Sequence, residues 1–300
     1  MRFGIYRLEG LESEAYLAEL ERELGVAIAL RSVYRAWNRC VVEDDLEWFY
    51  SLSRSPRDVL LTWEPWKIPE SAAQPENQPD FSLKQILSGR YDSYIRSVAR
   101  TLASLPIKIY LRPLHEMNGN WYPWCGTVNG NTPVELVPAW HHLRKLFMQE
   151  HATDIAWVWS PYASSYPACP ENGLSAYYPG DDAVDLMGLD GYNWGNEKEW
   201  GRWQSFTDLF SDAYRTVTGL GSKAVIIAET ASAEGGGDKS AWIGEVFDQL
   251  TSAYPRIEGL FWFDINKECD WRLNSSTTGL DLFRSRAAQL FGAPADCSAV

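Results

Sequence analysis

Along this chain of 300 residues, short runs of β-branched and apolar residues alternate with longer stretches whose apolar positions recur every three to four residues. Runs of the first kind fit buried strands, and stretches of the second kind fit amphipathic helices. The candidate strands are RFGIYR near 2–7, AIALRSVYR near 27–35, DVLLTWE near 58–64, IKIYLRPLHE near 107–116, IAWVWSP near 155–161, VDLMGLDGY near 184–192, AVIIAET near 224–230 and IEGLFWFDI near 257–265. Helical patterns follow or separate them: LESEAYLAELERELG, DDLEWFYSLS, YDSYIRSVARTLASL, PVELVPAWHHLRKLFMQE, WQSFTDLFSDAYRTVTGL, DKSAWIGEVFDQLTSAY and GLDLFRSRAAQLFG. In the first, Leu11, Ala15, Leu17, Leu20 and Leu24 share one face while Glu12, Glu14, Glu21 and Arg22 fall elsewhere, as a helix packed on a sheet requires. This rhythm predicts a closed (β/α)8 TIM barrel forming a single domain over 1–300, with a doubly wound open sheet as the alternative. The segment 65–82, which opens PWKIPESAAQPENQPD, is rich in Pro, Gln and Asn and reads as a long loop on the functional face.

Composition narrows the partners. The formal charge is −13, so the overall field repels a polyanion, and a nucleic acid is not an expected partner. No apolar run approaches the roughly 20 residues that span a bilayer, so no membrane partner is expected. The opening MRFGIYRLEG lacks the apolar core and cleavage site of a signal peptide. That leaves both a cytoplasmic protein and an exported one whose signal has been removed open. The five cysteines are an odd number without a CxxC pair, which argues against a disulfide framework and a structural zinc site. Cys125 reads as a packed thiol or as a disulfide partner for Cys169. Oligomeric state leaves no mark on the pattern. Fifteen tryptophans are the one compositional outlier; they either fill a large core or line a site.

In a barrel the reacting groups come from the carboxyl ends of the strands. Trp37 follows the second strand; Trp63, Glu64 and Trp66 end the third; His115 and Glu116 end the fourth; Trp159 and Tyr162 lie at the fifth. Asp190, Tyr192 and Trp194 end the sixth, Glu229 the seventh, and Trp262, Asp264 and Asn266 the eighth. A hydrolytic metal site would want several histidines, yet His141, His142 and His151 belong to a helix away from these ends, so no metal is expected. There is no GxSxG elbow, no GxGxxG after a strand, and GGGDKS lacks the Gly directly before Lys of a phosphate-binding loop, so no nucleotide cofactor is expected either.

What remains is a pair of carboxylates among aromatic rings, the equipment of glycoside hydrolysis. Glu116 and Glu229 form the pair, across the barrel mouth from each other, with an expected separation of about 5 to 5.5 Å, the retaining geometry. An isolated strand-end Glu is more simply a cap or salt-bridge partner; two together in aromatic surroundings are not. Sugar rings lie flat on Trp and Tyr, and Tyr192 is placed to hydrogen-bond the nucleophile, or else is a core Tyr with a satisfied hydroxyl.

RPLHEMNGNWYPW (112–124), LDGYNW and IIAETAS resemble the motifs of glycoside hydrolase family 26, retaining endo-β-glycanases on a (β/α)8 barrel, over nearly the whole chain. The resemblance implies that Glu116 is the acid/base and Glu229 the nucleophile, and that His115 contacts substrate or tunes the acid. It further implies that Trp121 and Tyr192 line the cleavage subsite, that Trp262 forms its aromatic floor, and that Asp190 supports it. The expected partner is a polysaccharide or oligosaccharide, a substrate that favours an extracellular place of work. The family includes β-1,4-mannanases, mixed-linked β-1,3-1,4-glucanases and β-1,3-xylanases. TWEPW departs from the mannanase pattern, since Glu64 stands where mannanases usually carry a histidine in a WHP setting, and it looks more like the glucanases. Mannose and glucose differ only at the 2-hydroxyl, so one polar residue at the subsite wall can shift the preference. The expectation is therefore mixed-linked glucan before mannan, with a non-catalytic carbohydrate-binding barrel as the reading of another class.

Overall fold

The computed structural model describes residues 1–8, 10–69 and 74–294. Eight parallel strands close into a barrel in sequence order: β1 (Arg2–Tyr6), β2 (Leu30–Ala36), β3 (Asp58–Glu64), β4 (Ile109–Pro113), β5 (Ala156–Trp159), β6 (Leu186–Asn193), β7 (Val225–Ser232) and β8 (Ile257–Phe263), with β8 pairing back onto β1. The open-sheet alternative is thereby excluded. Around them lie α1 (Glu14–Leu24), α2 (Leu46–Ser51), α3 (Leu83–Leu87), α4 (Asp92–Ala103), α5 (Pro133–Gln149), α6 (Phe206–Leu220), α7 (Lys239–Ser252) and α8 (Thr277–Phe291). Helix starts follow local chemistry. Ser13, Ser205, Asp238 and Ser276 each accept a backbone N–H of the first turn, satisfying donors that the helix itself leaves free.

One departure from the expected strand–helix alternation concerns a connection. Among the described residues β5 and β6 are joined by three single 3-10 turns, at Pro170–Asn172, Leu174–Tyr177 and Asp181–Ala183, rather than by an α-helix. The density of Pro, Gly and Ser in 161–183 explains this, because it supplies turn formers where a helix would need a continuous apolar face. The 65–82 segment is a connection of the kind expected in its described part, where the Gln78 carboxamide bridges the backbone of Lys67 and Pro75. Its residues 70–73 lie outside the described residues.

Strand alternation divides the core in two. Leu30, Leu60, Val158, Leu186, Ile226, Ala228 and Phe261 point into the barrel and form its apolar plug, while the alternate residues pack against the helices in the larger outer core. Gly4 shows how tightly the plug is filled: a Cβ there would lie 2.3 Å from the Phe261 ring. Gly4→Ala is therefore expected to cost about 1–3 kcal/mol of stability by overpacking. Denaturant unfolding measures it, and an unchanged midpoint would show that the ring moves aside freely.

Candidate active site

Above the apolar plug the same inward-facing positions turn polar. Tyr34 on β2, Thr62 and Glu64 on β3, Arg112 on β4, Asp190 and Tyr192 on β6 and Glu229 on β7 meet at the carboxyl ends of the strands, with Ser160 just beyond β5. Arg112 is the hub. Its guanidinium is wholly buried, donates to Asp190 Oδ1 at 2.8 Å, to Thr62 Oγ1 at 2.6 Å and to Glu229 Oε1. The second Glu229 oxygen accepts the Tyr192 hydroxyl, and Asp190 Oδ2 accepts the Ser160 hydroxyl at 2.9 Å.

Regular alternation along β7 would turn Glu229 away from this centre. The register shows how it turns in: Ile227 pairs with Leu189 but Glu229 with Asp190, so β7 carries one residue more than β6, and a matching shift separates it from β8. Such a bulge re-aims a side chain. Ala228 faces the plug, and Glu229 follows it into the mouth.

Glu116 is positioned by strained backbone. Leu114 and Glu116 both adopt left-handed conformations, φ +55° and +51°, which cost a non-glycine residue on the order of 1 kcal/mol or more each. The segment is clamped from every side. The Glu116 N–H donates to Ser160 O at 2.8 Å, Trp124 Nε1 to His115 O at 2.8 Å, and Gly119 N–H to Glu116 O at 2.9 Å. Asn118 is paired through its carboxamide with both the N–H and the carbonyl of Tyr162, each at 2.8 Å. Trp121 Nε1 then donates to the Glu116 carboxyl at 2.6 Å.

These surroundings drive the carboxyls apart. Burial raises Glu116 well above the ordinary carboxylate range, and the nearby Glu229 charge adds to it. Burial acts on Glu229 in the same direction, but Arg112, with Tyr192 and Tyr34 as donors, outweighs it and holds Glu229 below its ordinary value. Glu64, buried and accepting from Trp66 Nε1 at 3.3 Å, is pushed by desolvation to about 7. His115 is buried beside Tyr122 and Trp124, with ring centroids 4.8 and 5.6 Å away. Burial, then the Arg112 charge, lowers it to about 3, so the imidazole is neutral.

Two expected site residues lie elsewhere. Trp63 is fully buried on the outer side of β3, against Trp37, Tyr94 of α4 and Phe147 of α5. Trp262 is likewise on the outer side of β8, facing Trp242 of α7 and Phe283 of α8, with its Nε1 donating to Trp271 O at 2.9 Å. The cause is strand parity: Glu64 and Phe263 face in, so their neighbours face out. The aromatic groups that do meet Tyr192 include Phe263 and Trp271, at 5.5 and 5.2 Å, and Trp194, at 6.3 Å. Arg112, Tyr34, Thr62, Ser160, Phe263 and Trp271 are the members of the site not singled out from sequence. Parity counted from Glu64 would have found Thr62, and the need of a strand-borne Arg for buried acids would have found Arg112. Cys125 and Cys169 are both free thiols; Cys125 is packed with its thiol toward Glu116 O at 3.5 Å, so the disulfide alternative does not hold.

The sequence pattern of Glycosyl hydrolase family 26 matches residues 22–281. The chain belongs to that family. It is 38% identical to endoglucanase H of Acetivibrio thermocellus over 231 residues, covering 75% of this chain and 24% of that one. A mannan endo-1,4-β-mannosidase of Bacillus subtilis strain 168 is 28% identical over 188 residues, 58% of this chain and 45% of the relative. The chain thus spans about a quarter of the first relative's length and under half of the second's. A family 26 β-mannanase structure from Bacteroides ovatus superposes with a TM-score of 0.66 at 17% identity, covering 100% of this chain and 94% of that one; at that identity it supports the barrel fold alone. Among the described residues, no helix is long and apolar enough to cross a membrane.

Removing one donor to Glu229 tests the electrostatics of the site. Tyr192→Phe deletes a hydrogen bond to the charged form, so the Glu229 pKa is expected to rise. Carbon NMR titration of the labelled carboxyl reads it, and an unmoved midpoint would mean that Tyr192 does not contribute.

Proposed function

We propose that the protein is a retaining endo-β-glycanase that cleaves mixed-linked β-1,3-1,4-glucan, with Glu229 as nucleophile and Glu116 as acid/base. One observation carries this reading: two buried carboxyls share a site in which one is held ionised by Arg112 and Tyr192 while the other is held protonated by desolvation. That division is what double displacement needs. The Glu229 carboxylate attacks the anomeric carbon while Glu116 delivers its proton to the glycosidic oxygen, and the leaving sugar departs as an alcohol. In the resulting ester Glu229 is uncharged, so its contribution to the raised Glu116 pKa disappears. Glu116, now a carboxylate, takes a proton from water. The water oxygen attacks the anomeric carbon from the face the leaving group occupied, Glu229 is released, and one water is consumed per bond with the β configuration retained.

The supporting groups take roles from their contacts. Asp190 anchors Arg112 and so acts on Glu229 indirectly; Trp121 orients Glu116; His115 is a neutral ring beside the acid. Among the described residues both His115 nitrogens lack a hydrogen-bond partner, which suits a group reserved for a sugar hydroxyl. Glu64 supports the glucan preference. With a pKa near 7 it both donates and accepts close to neutrality, and a 2-hydroxyl of the wrong epimer would leave it unpaired at a cost of a few kcal/mol. The similarity to a relative named as an endoglucanase points the same way. A β-1,4-mannanase activity is the second reading, favoured by the relative named for mannan. A polymeric substrate favours work outside the cell.

Product chromatography on mixed-linked β-glucan, mannan, glucomannan and β-1,3-xylan tests the assignment. Oligosaccharides are expected from β-glucan first, with turnover lost in Glu229→Ala and kcat reduced about 10²–10⁴-fold in Glu116→Ala. Binding without turnover by the unaltered protein would instead identify a carbohydrate-binding barrel. Glu64→His is expected to raise the mannan-to-glucan ratio of kcat/KM, and an unchanged ratio would remove Glu64 from specificity. The pH profile of kcat/KM should be bell-shaped. Glu229 must be ionised, so the rising limb lies below the ordinary glutamate value. Glu116 must be protonated, so the falling limb lies above it; a profile flat through the acidic range would contradict both assignments.

A further inference from the structure

The residues around the two carboxyls leave one tryptophan unexplained. Among the described residues Trp200 is the only exposed tryptophan, with 69% of its surface in solvent, although an indole is costly to leave in water. The loop that carries it, 194–205 between β6 and α6, is not slack. The Asn193 carboxamide accepts the N–H groups of Gly195 and Gln204 at 3.3 and 2.9 Å and donates to Ser232 Oγ at 2.9 Å, tying both ends of the loop to β7. Gly195 has φ +54°, and a Cβ there would lie 1.8 Å from Gly235 O, so the close approach of the two loops requires glycine. Trp242 Nε1 donates to Gln204 O at 2.9 Å from the other side.

From this fixed loop an unbroken file of rings leads back to the site. The Trp200 ring is 4.9 Å from Trp194, Trp194 is 4.8 Å from Trp271, and Trp271 is 5.2 Å from Tyr192, whose hydroxyl donates to Glu229. The Trp200–Trp194 contact is edge-on at 62°, so Trp200 is supported without both faces being covered.

We infer that Trp200 is a distal sugar-binding platform, on which a pyranose of the same β-glycan chain stacks some residues away from the bond being cut. The inference rests on the glycanase reading. Pyranose rings present a patch of C–H groups to an indole and keep their hydroxyls at the edge, which suits an aromatic face that is half supported and half wet. Because the loop is held before substrate arrives, little ordering is needed on binding. A contact this far from the reacting carbon stabilises ground and transition states alike, so its effect belongs in KM.

The experiment compares the unaltered protein, Trp200→Ala and Trp200→Phe on a ladder of β-gluco-oligosaccharides, on polymeric β-glucan and on a two-sugar aryl β-glycoside, together with electrophoretic retardation in gels containing β-glucan. For Trp200→Ala the ratio of kcat/KM on the polymer to that on the aryl glycoside is expected to fall about tenfold, through KM, with the loss beginning at one chain length. Trp200→Phe should recover most of it. An equal loss at every chain length, or none at any, overturns the inference while leaving the glycanase reading intact. If the unaltered protein cuts nothing, retardation decides: retardation weakened by Trp200→Ala keeps the platform and rejects the glycanase, and no retardation of either protein rejects both.

Discussion

A guanidinium with no exposed surface stands in the middle of the barrel mouth, and the arrangement of the site depends on how its charge is answered. Burying Arg112 is unfavourable unless it is paired and its donors are used. Asp190, Thr62, Tyr34 and Glu229 do this from four other strands. The pairing is unequal in its consequences. Glu229 receives the charge directly and is held ionised, while Glu116 has Trp121 as its donor and feels mainly burial and a like charge. One arginine therefore divides two chemically identical side chains into one held ionised and one whose pKa is raised.

Local rules of backbone geometry are broken where this division is made. The extra residue in β7 turns Glu229 into the mouth next to Ala228, and left-handed Leu114 and Glu116 lift the acid off the end of β4. Each is unfavourable in isolation, and each is held by surrounding hydrogen bonds that an unstrained chain would not need. Ser160 serves both, through its carbonyl to Glu116 and its hydroxyl to Asp190. The apolar plug below supplies a rigid floor, so none of these groups need be ordered by substrate.

Much of this was legible in the order of residues. The period of apolar positions was enough for the closed barrel, and strand ends were enough to bring Glu64, Glu116, Asp190, Tyr192 and Glu229 to one face. Three features were not. Adjacent residues on a strand face opposite ways, so Trp63 and Trp262 could not accompany Glu64 and Phe263 into the mouth, and naming strand ends without parity hid this. The bulge at Ala228 alters the register through pairing with two neighbours, information absent from β7 itself. Arg112 lay inside the motif that drew attention to Glu116, but its importance comes from partners 78 and 117 residues away.

The central claim is that Glu229, kept ionised by Arg112, attacks the anomeric carbon. Incubation with a 2-deoxy-2-fluoro β-gluco-oligosaccharide bearing an activated leaving group, followed by mass spectrometry of the digested protein, tests it most directly. The fluorine slows both formation and hydrolysis of a glycosyl ester, and the activated leaving group restores the rate of formation alone, so the ester accumulates. The account predicts one adduct, on the peptide containing Glu229. An adduct on Glu116, or turnover without any adduct, would contradict it.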